Sequence, residues 1–206
     1  MAERPAAERS SRGKGQPRQK GQPQKTDGME GQEESVKEES TFSVNIEETL
    51  EKLQREGKVS VETFGREQTF QLGQALGQRA EAGQVFTLIG DLGVGKTVFT
   101  QGFARGLGIT ENVNSPTFTI LQIYEEGRLP FYHFDVYRIG DVEEMDEIGY
   151  EDCFYGEGVS MIEWANLIEE ILPPGYVRVT IRKNPEKGFD YREIIAETVG
   201  SREKLV

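Results

Sequence analysis

One cysteine, Cys153, one histidine, His133, and one tryptophan, Trp164, are all that 206 residues hold of these three types. A lone cysteine excludes an intrachain disulfide, and nothing in the first thirty residues has the apolar stretch of a signal peptide. The longest apolar run, Val85 to Ile89 with its threonine counted, is far short of the roughly 20 residues a membrane helix needs. These absences predict a soluble, cytoplasmic protein. Aromatic residues are missing from residues 1–40, whose few apolar side chains cannot offset the entropy of ordering a backbone, so a disordered leader is expected there.

The net charge is −12, unevenly spread. Residues 1–25 carry seven Lys or Arg against Glu3 and Glu8, whereas residues 27–56 carry ten acids against three bases, and the rest is acidic too. An acidic folded body repels a phosphate backbone, which disfavours direct nucleic-acid binding by that body. The basic stretch reads as a solvated leader, with weak, salt-sensitive RNA contact as the other reading. A division follows: residues 1–56 as a charged leader with a short helix at 44–54, and residues 57–206 as one domain.

Within that domain, Thr63 to Ala82 has a helical pattern stopped by Gly83, and Val85 to Ile89 reads as a strand buried on both faces. Lys96 to Leu107 reads as a helix closed by Gly108. Phe118 to Tyr124 and Leu129 to Tyr137 flank Glu125-Glu126-Gly127-Arg128 as a hairpin. Asp141 to Tyr155 is acidic and loosely helical, Val159 to Trp164 a second buried strand, Ala165 to Leu172 a short helix, and Val177 to Arg182 and Tyr191 to Thr198 closing strands. The sum is an α/β, P-loop NTPase-like three-layer fold with a mixed sheet containing an antiparallel hairpin.

Gly90-Asp91-Leu92-Gly93-Val94-Gly95-Lys96-Thr97 has two glycines five apart followed by Lys and Thr, the pattern of a phosphate-binding loop. Glycines let consecutive amides turn inward around a phosphate, and the helix behind adds the positive end of its dipole. Lys96 would bridge the outer phosphates and the Thr97 hydroxyl would ligate magnesium. A plain glycine-rich turn needs neither residue.

Magnesium also calls for a carboxylate at the end of a neighbouring strand. Asp135 and Glu163 both end apolar runs, where an unpaired carboxylate costs several kcal/mol (on the order of) unless it meets a cation. Either is a candidate metal ligand or water organiser. The plain alternatives are an ion pair with Arg138 for Asp135 and solvent exposure for Glu163. No Asn-Lys-x-Asp stretch occurs, so the common guanine-reading signal is missing and ATP is favoured. His133 reads as a strand residue and Trp164 as packing.

Beyond the loop, Asn114-Ser115-Pro116-Thr117-Phe118-Thr119, Tyr132-His133-Phe134-Asp135-Val136-Tyr137-Arg138, Ile162-Glu163-Trp164 and Leu172-Pro173 follow in order. Together, between about residues 63 and 182, these motifs resemble the TsaE (YjeE) family, P-loop ATPases of bacterial tRNA threonylcarbamoyladenosine biosynthesis. The resemblance implies ATP phosphates at Leu92, Gly93, Val94, Gly95, Lys96 and Thr97, magnesium on Thr97 and Glu163, and hydrolysis assisted by Asp135 with Lys96. It implies a switch-like loop at Ser115-Pro116-Thr117, with Thr117 near the γ-phosphate. It also implies protein partners that themselves install threonylcarbamoyl, and only indirect association with tRNA. Where the family often carries Gly-Arg-Glu, this chain has Asp190-Tyr191-Arg192-Glu193, and the first 55 or so residues have no counterpart. A small-molecule kinase is the rival from the same fold class; it needs arginines over the transferred phosphate, and only Arg105, Arg128 and Arg138 lie between Thr97 and Trp164. Seven acids between Asp141 and Asp152 form either a solvated face or a docking surface for a basic partner.

Overall fold

Short β-branched and aromatic runs, punctuated by glycine, lay down seven strands in one sheet of order β1-β7-β6-β2-β5-β4-β3. The computed structural model describes residues 46–200; the leader before residue 46 lies outside the described residues, as do 201–206. The strands are β1 (Lys58–Thr63), β2 (Val85–Ile89), β3 (Leu121–Tyr124), β4 (Phe131–Asp135), β5 (Val159–Glu163), β6 (Gly175–Lys183) and β7 (Arg192–Gly200). The helices are α1 over 46–56, α2 (Arg66–Arg79), α3 (Lys96–Gly106), α4 (Glu144–Ile148) and α5 (Tyr150–Phe154).

Strands β6, β2, β5 and β4 run parallel, and every residue of β5 is buried, as a strand covered on both faces requires. Antiparallel strands finish both edges: β7 and β1 on one side, β3 on the other. Alternating residues feed two cores. Phe86 and Leu88 join Leu72, Leu76, Phe99 and Phe103 beneath α2 and α3, while Val85, Phe134 and Ile162 join Met145, Phe154 and Ile168 on the opposite face. The sheet is therefore the middle of three layers.

Helices α2 and α3 approach each other unusually closely. A Cβ on Gly77 would fall 2.1 Å from the Phe103 carbonyl oxygen and one on Gly73 2.3 Å from that of Phe99, so only glycine fits. The contact fixes the direction in which α3 leaves the loop before it.

Several boundaries differ from the sequence expectation. Thr63 ends β1 rather than opening a helix; α2 begins at Arg66, and Lys58–Thr63 pairs with β7 instead. The stretch 165–172 is two single 3₁₀ turns, Ala165–Leu167 and Glu169–Ile171, not one helix. The acidic stretch divides at Gly149 into α4 and α5, with all seven of its acids exposed. The hairpin strand expected from Phe118 starts at Leu121, because Pro116 to Ile120 closes a turn through Thr119 and Ile120 amides donating to the Pro116 carbonyl. The short helix expected at 44–54 runs to residue 56 among the described residues, with Ile46, Leu50 and Leu53 buried on the domain. Among the described residues no helix is long and apolar enough to cross a membrane.

Candidate nucleotide-binding site

The loop joining β2 to α3 lies at the carboxyl ends of the parallel strands, where open α/β sheets gather their ligands. Its shape depends on Gly93 at φ 70° and Gly95 at φ 110°, backbone values that cost a side-chain-bearing residue dearly. Val94 does the opposite job. Its side chain is buried in the core and anchors the loop, while its amide donates to the Asp91 carbonyl at 3.3 Å.

A second anchor comes from far along the chain. Arg192, on β7, donates through Nε to the Val94 carbonyl at 2.6 Å and through Nη1 to the carbonyls of Tyr191 and Phe189 at 2.6 and 2.8 Å. Arg192, from the stretch where the family's Gly-Arg-Glu is altered, thus braces the main chain of the loop. No local pattern could have disclosed this, because the partners are 98 positions apart.

Lys96 opens α3 but is only 6% exposed. Its Nζ donates to the carbonyls of Gly90 and Asp91 at 2.9 and 3.2 Å and sits 4.3 Å from the centre of the Trp164 ring. Burial pushes its pKa below the ordinary lysine value, with Glu163, Asp135 and Asp91 pulling the other way. An ammonium lodged in this manner is under-solvated and holds weak carbonyl partners that an anion would replace.

The two carboxylates arrive by sheet register. β4 and β5 pair so that Asp135 lies beside Glu163, each at the last position of its strand, and both are almost fully buried. Asp135 is not paired with Arg138, whose guanidinium stacks 4.4 Å above the exposed Phe118 ring. Instead its Oδ2 accepts the hydroxyls of Ser115 and Thr117 at 2.5 and 2.7 Å, and Oδ1 accepts the Tyr137 amide at 3.1 Å. Glu163 is buried rather than solvent-facing, with Oε1 3.1 Å from Nε2 of His133.

Among the described residues two non-glycine residues take left-handed backbone, Ile120 at φ 64° and Trp164 at φ 63°. One closes the Ser115–Thr117 loop and the other follows Glu163. Each costs of the order of 1–3 kcal/mol, a cost that concentrates at functional sites. At Trp164 the turn delivers the indole to the cleft, so this residue lines a site as well as packing.

Together these groups border one cleft of about 460 Å³, within the size range of small-molecule sites. Leu92, Gly93, Gly95, Lys96, Thr97, Ser115, Thr117, Asp135, Tyr137, Glu163 and Trp164 line it, whereas the Val94 side chain does not. Among the described residues no cluster of three or more His, Cys, Asp or Glu side chains is arranged to cage a metal. Thr97, Asp135 and Glu163 nonetheless offer hard oxygens to one cavity, a sparse set that fits magnesium, which keeps several waters and takes phosphate oxygens.

A family model described as Threonylcarbamoyl adenosine biosynthesis protein TsaE matches residues 63–194. The tRNA threonylcarbamoyladenosine biosynthesis protein TsaE of Bacillus subtilis (strain 168) is 47% identical over 144 residues, 70% of this chain and 88% of that protein. That of Treponema pallidum (strain Nichols) is 45% identical over 114 residues, 55% of this chain and 84% of the relative. The crystal structure of Bacillus subtilis YdiB superposes with a TM-score of 0.61 at 41% identity, covering 71% of this chain and 88% of that one. The chain belongs to the TsaE family, which is involved in tRNA threonylcarbamoyladenosine biosynthesis.

Proposed function

We propose that this TsaE-family protein is a magnesium-dependent ATPase acting as a nucleotide switch within the cytoplasmic protein assembly that installs threonylcarbamoyl on tRNA adenosine. The observation that carries the reading is the convergence of a buried lysine ammonium, a helix-opening hydroxyl and two strand-end carboxylates on one cleft behind a glycine loop.

Magnesium, when bound, would neutralise phosphate charge as a Lewis acid. The chain's own residues do the rest. Main-chain amides of Gly93 to Thr97 grip phosphate oxygens, and Lys96 exchanges the Gly90 and Asp91 carbonyls for them. Thr97 and Glu163 would hold the metal. Asp135 orients the attacking water once Ser115 and Thr117 let go of its Oδ2, so the Thr117 hydroxyl turns from carboxylate to γ-phosphate. That exchange couples the 115–120 loop to the nucleotide, which is what a switch requires. The acidic body argues for protein partners and for tRNA reached through them.

Arginine placement favours hydrolysis over transfer to a metabolite. Arg128 donates to the carbonyls of Gly77, Gln78 and Ala80 at the end of α2, Arg138 lies on Phe118, and Arg105 is exposed on α3. The test follows the γ-phosphate: with the purified protein and its assembly partners, label appears as inorganic phosphate. Label on an added nucleoside or metabolite would establish a kinase instead.

A further inference from the structure

Among the described residues Asp135 has three hydrogen-bond donors around it; Glu163 has one, and it comes from the only histidine in the chain. His133 is fully buried, two residues before Asp135 on β4, its ring stacked 5.9 Å from Phe131. Its Nδ1 has no hydrogen-bond partner among the described residues. That orphan atom reports where the hydrogen is. A carboxylate only accepts, so the 3.1 Å contact needs a hydrogen on Nε2. Nδ1 is then a bare acceptor, a group less costly to bury unpaired than an N–H. A hydrogen on Nδ1 would leave a buried donor with nothing to bind.

We propose that His133 is a positioning residue for Glu163: its Nε2–H fixes Oε1 and leaves Oε2 as the oxygen offered to the metal. Rigid strand pairing makes the arrangement precise, because His133 and Asp135 sit opposite Met161 and Glu163 in the β4–β5 register. An outer partner of this kind orients a ligand and raises metal affinity, and its loss typically costs about 10–100-fold. The role rests on the reading of Glu163 as a magnesium ligand.

Two experiments on the full-length, tag-free protein test it. With one histidine present, the long-range ¹H–¹⁵N spectrum of the metal-free protein contains a single imidazole. The expected pattern is a hydrogen on Nε2 and a bare Nδ1; a hydrogen on Nδ1 overturns the proposal. The second measures the magnesium needed for half-maximal ATP hydrolysis with partners present, beside ADP affinity without metal. His133→Met raises the magnesium requirement about 10–100-fold and leaves metal-free ADP affinity unchanged. His133→Gln, whose amide restores a donor near the Nε2 position, recovers most of the loss. In a Glu163→Gln background His133→Met adds nothing further. An unchanged magnesium requirement, an additive loss in that background, or no rescue by glutamine contradicts the role. If the wild-type protein itself shows no magnesium requirement, the ATPase reading fails first and this role falls with it. Should His133→Met not fold, the glutamine variant and the spectrum decide.

Discussion

Lys96 shows how one residue is kept ready at a cost to the fold. Its pKa is held below the ordinary value chiefly by burial, which means that the charged form is disfavoured on folding. The penalty is fully present below the folded pKa and vanishes only as pH rises past the unfolded value, in the alkaline range. Lys96→Met is expected to melt no lower than wild type without nucleotide. It also loses the stabilisation that ligand gives, about 2.7 kcal/mol when nucleotide stands at 100 times its dissociation constant. Differential scanning fluorimetry with and without Mg-ADP reads both outcomes. Arg192 acts on the same loop from behind. Arg192→Ala removes a charge-assisted bond to the Val94 carbonyl and weakens nucleotide binding by about 1.5–3 kcal/mol while the protein stays folded, as titration calorimetry would record. The loop and both carboxylates were legible in the sequence because each sits in a local pattern: glycine spacing for one, an acid closing an apolar run for the others. His133 and Arg192 were not, since their roles depend on partners 30 and 98 positions away that only the sheet brings close.

Elements hold these residues through register and close packing. The α2–α3 contact is the plainest case, with Gly73 and Gly77 meeting the carbonyls of Phe99 and Phe103. Gly77→Ala forces the helices apart, and urea denaturation should show a loss of about 1–3 kcal/mol. Because α3 begins at Lys96, the same change should also weaken nucleotide binding. Strand β2 and helix α3 were readable from their apolar runs and glycine boundaries. β1 was not, although Val59, Val61 and Thr63 alternate with polar residues, because Lys58–Thr63 adjoins a charged stretch and a helical pattern extends back to Thr63. Its strand character is completed by pairing with β7. The stretch 165–172 misled in the other direction: its composition suits a helix, but it must return from the left-handed Trp164 to the start of β6 and does so in two tight turns.

At the scale of the whole molecule, α1 and the cleft occupy opposite ends of the sheet. Helix α1 packs near Leu76, Ala80 and Gln84 at the amino end of β2, and the phosphate-binding loop leaves its carboxyl end. Glu47 of α1 pairs with Arg79 at the end of α2. Stability and ligand binding are therefore separable. Leu53→Ala, at a site 2% exposed, should cost about 2–5 kcal/mol by urea denaturation yet leave nucleotide affinity unchanged. The three-layer architecture could be read from the alternation of strand and helix, whereas the strand order could not, since β7 returns from the chain's end to separate β1 from β6.

The central claim is that backbone amides, Lys96 and Thr97 hold a triphosphate at the junction of β2 and α3. Isothermal titration of the purified protein with Mg-ATP analogue measures it most directly. The account predicts saturable heat with one nucleotide per chain, abolished in Lys96→Ala. Absence of heat from well-folded wild-type protein, with or without its assembly partners, or equal heat from Lys96→Ala, would contradict it.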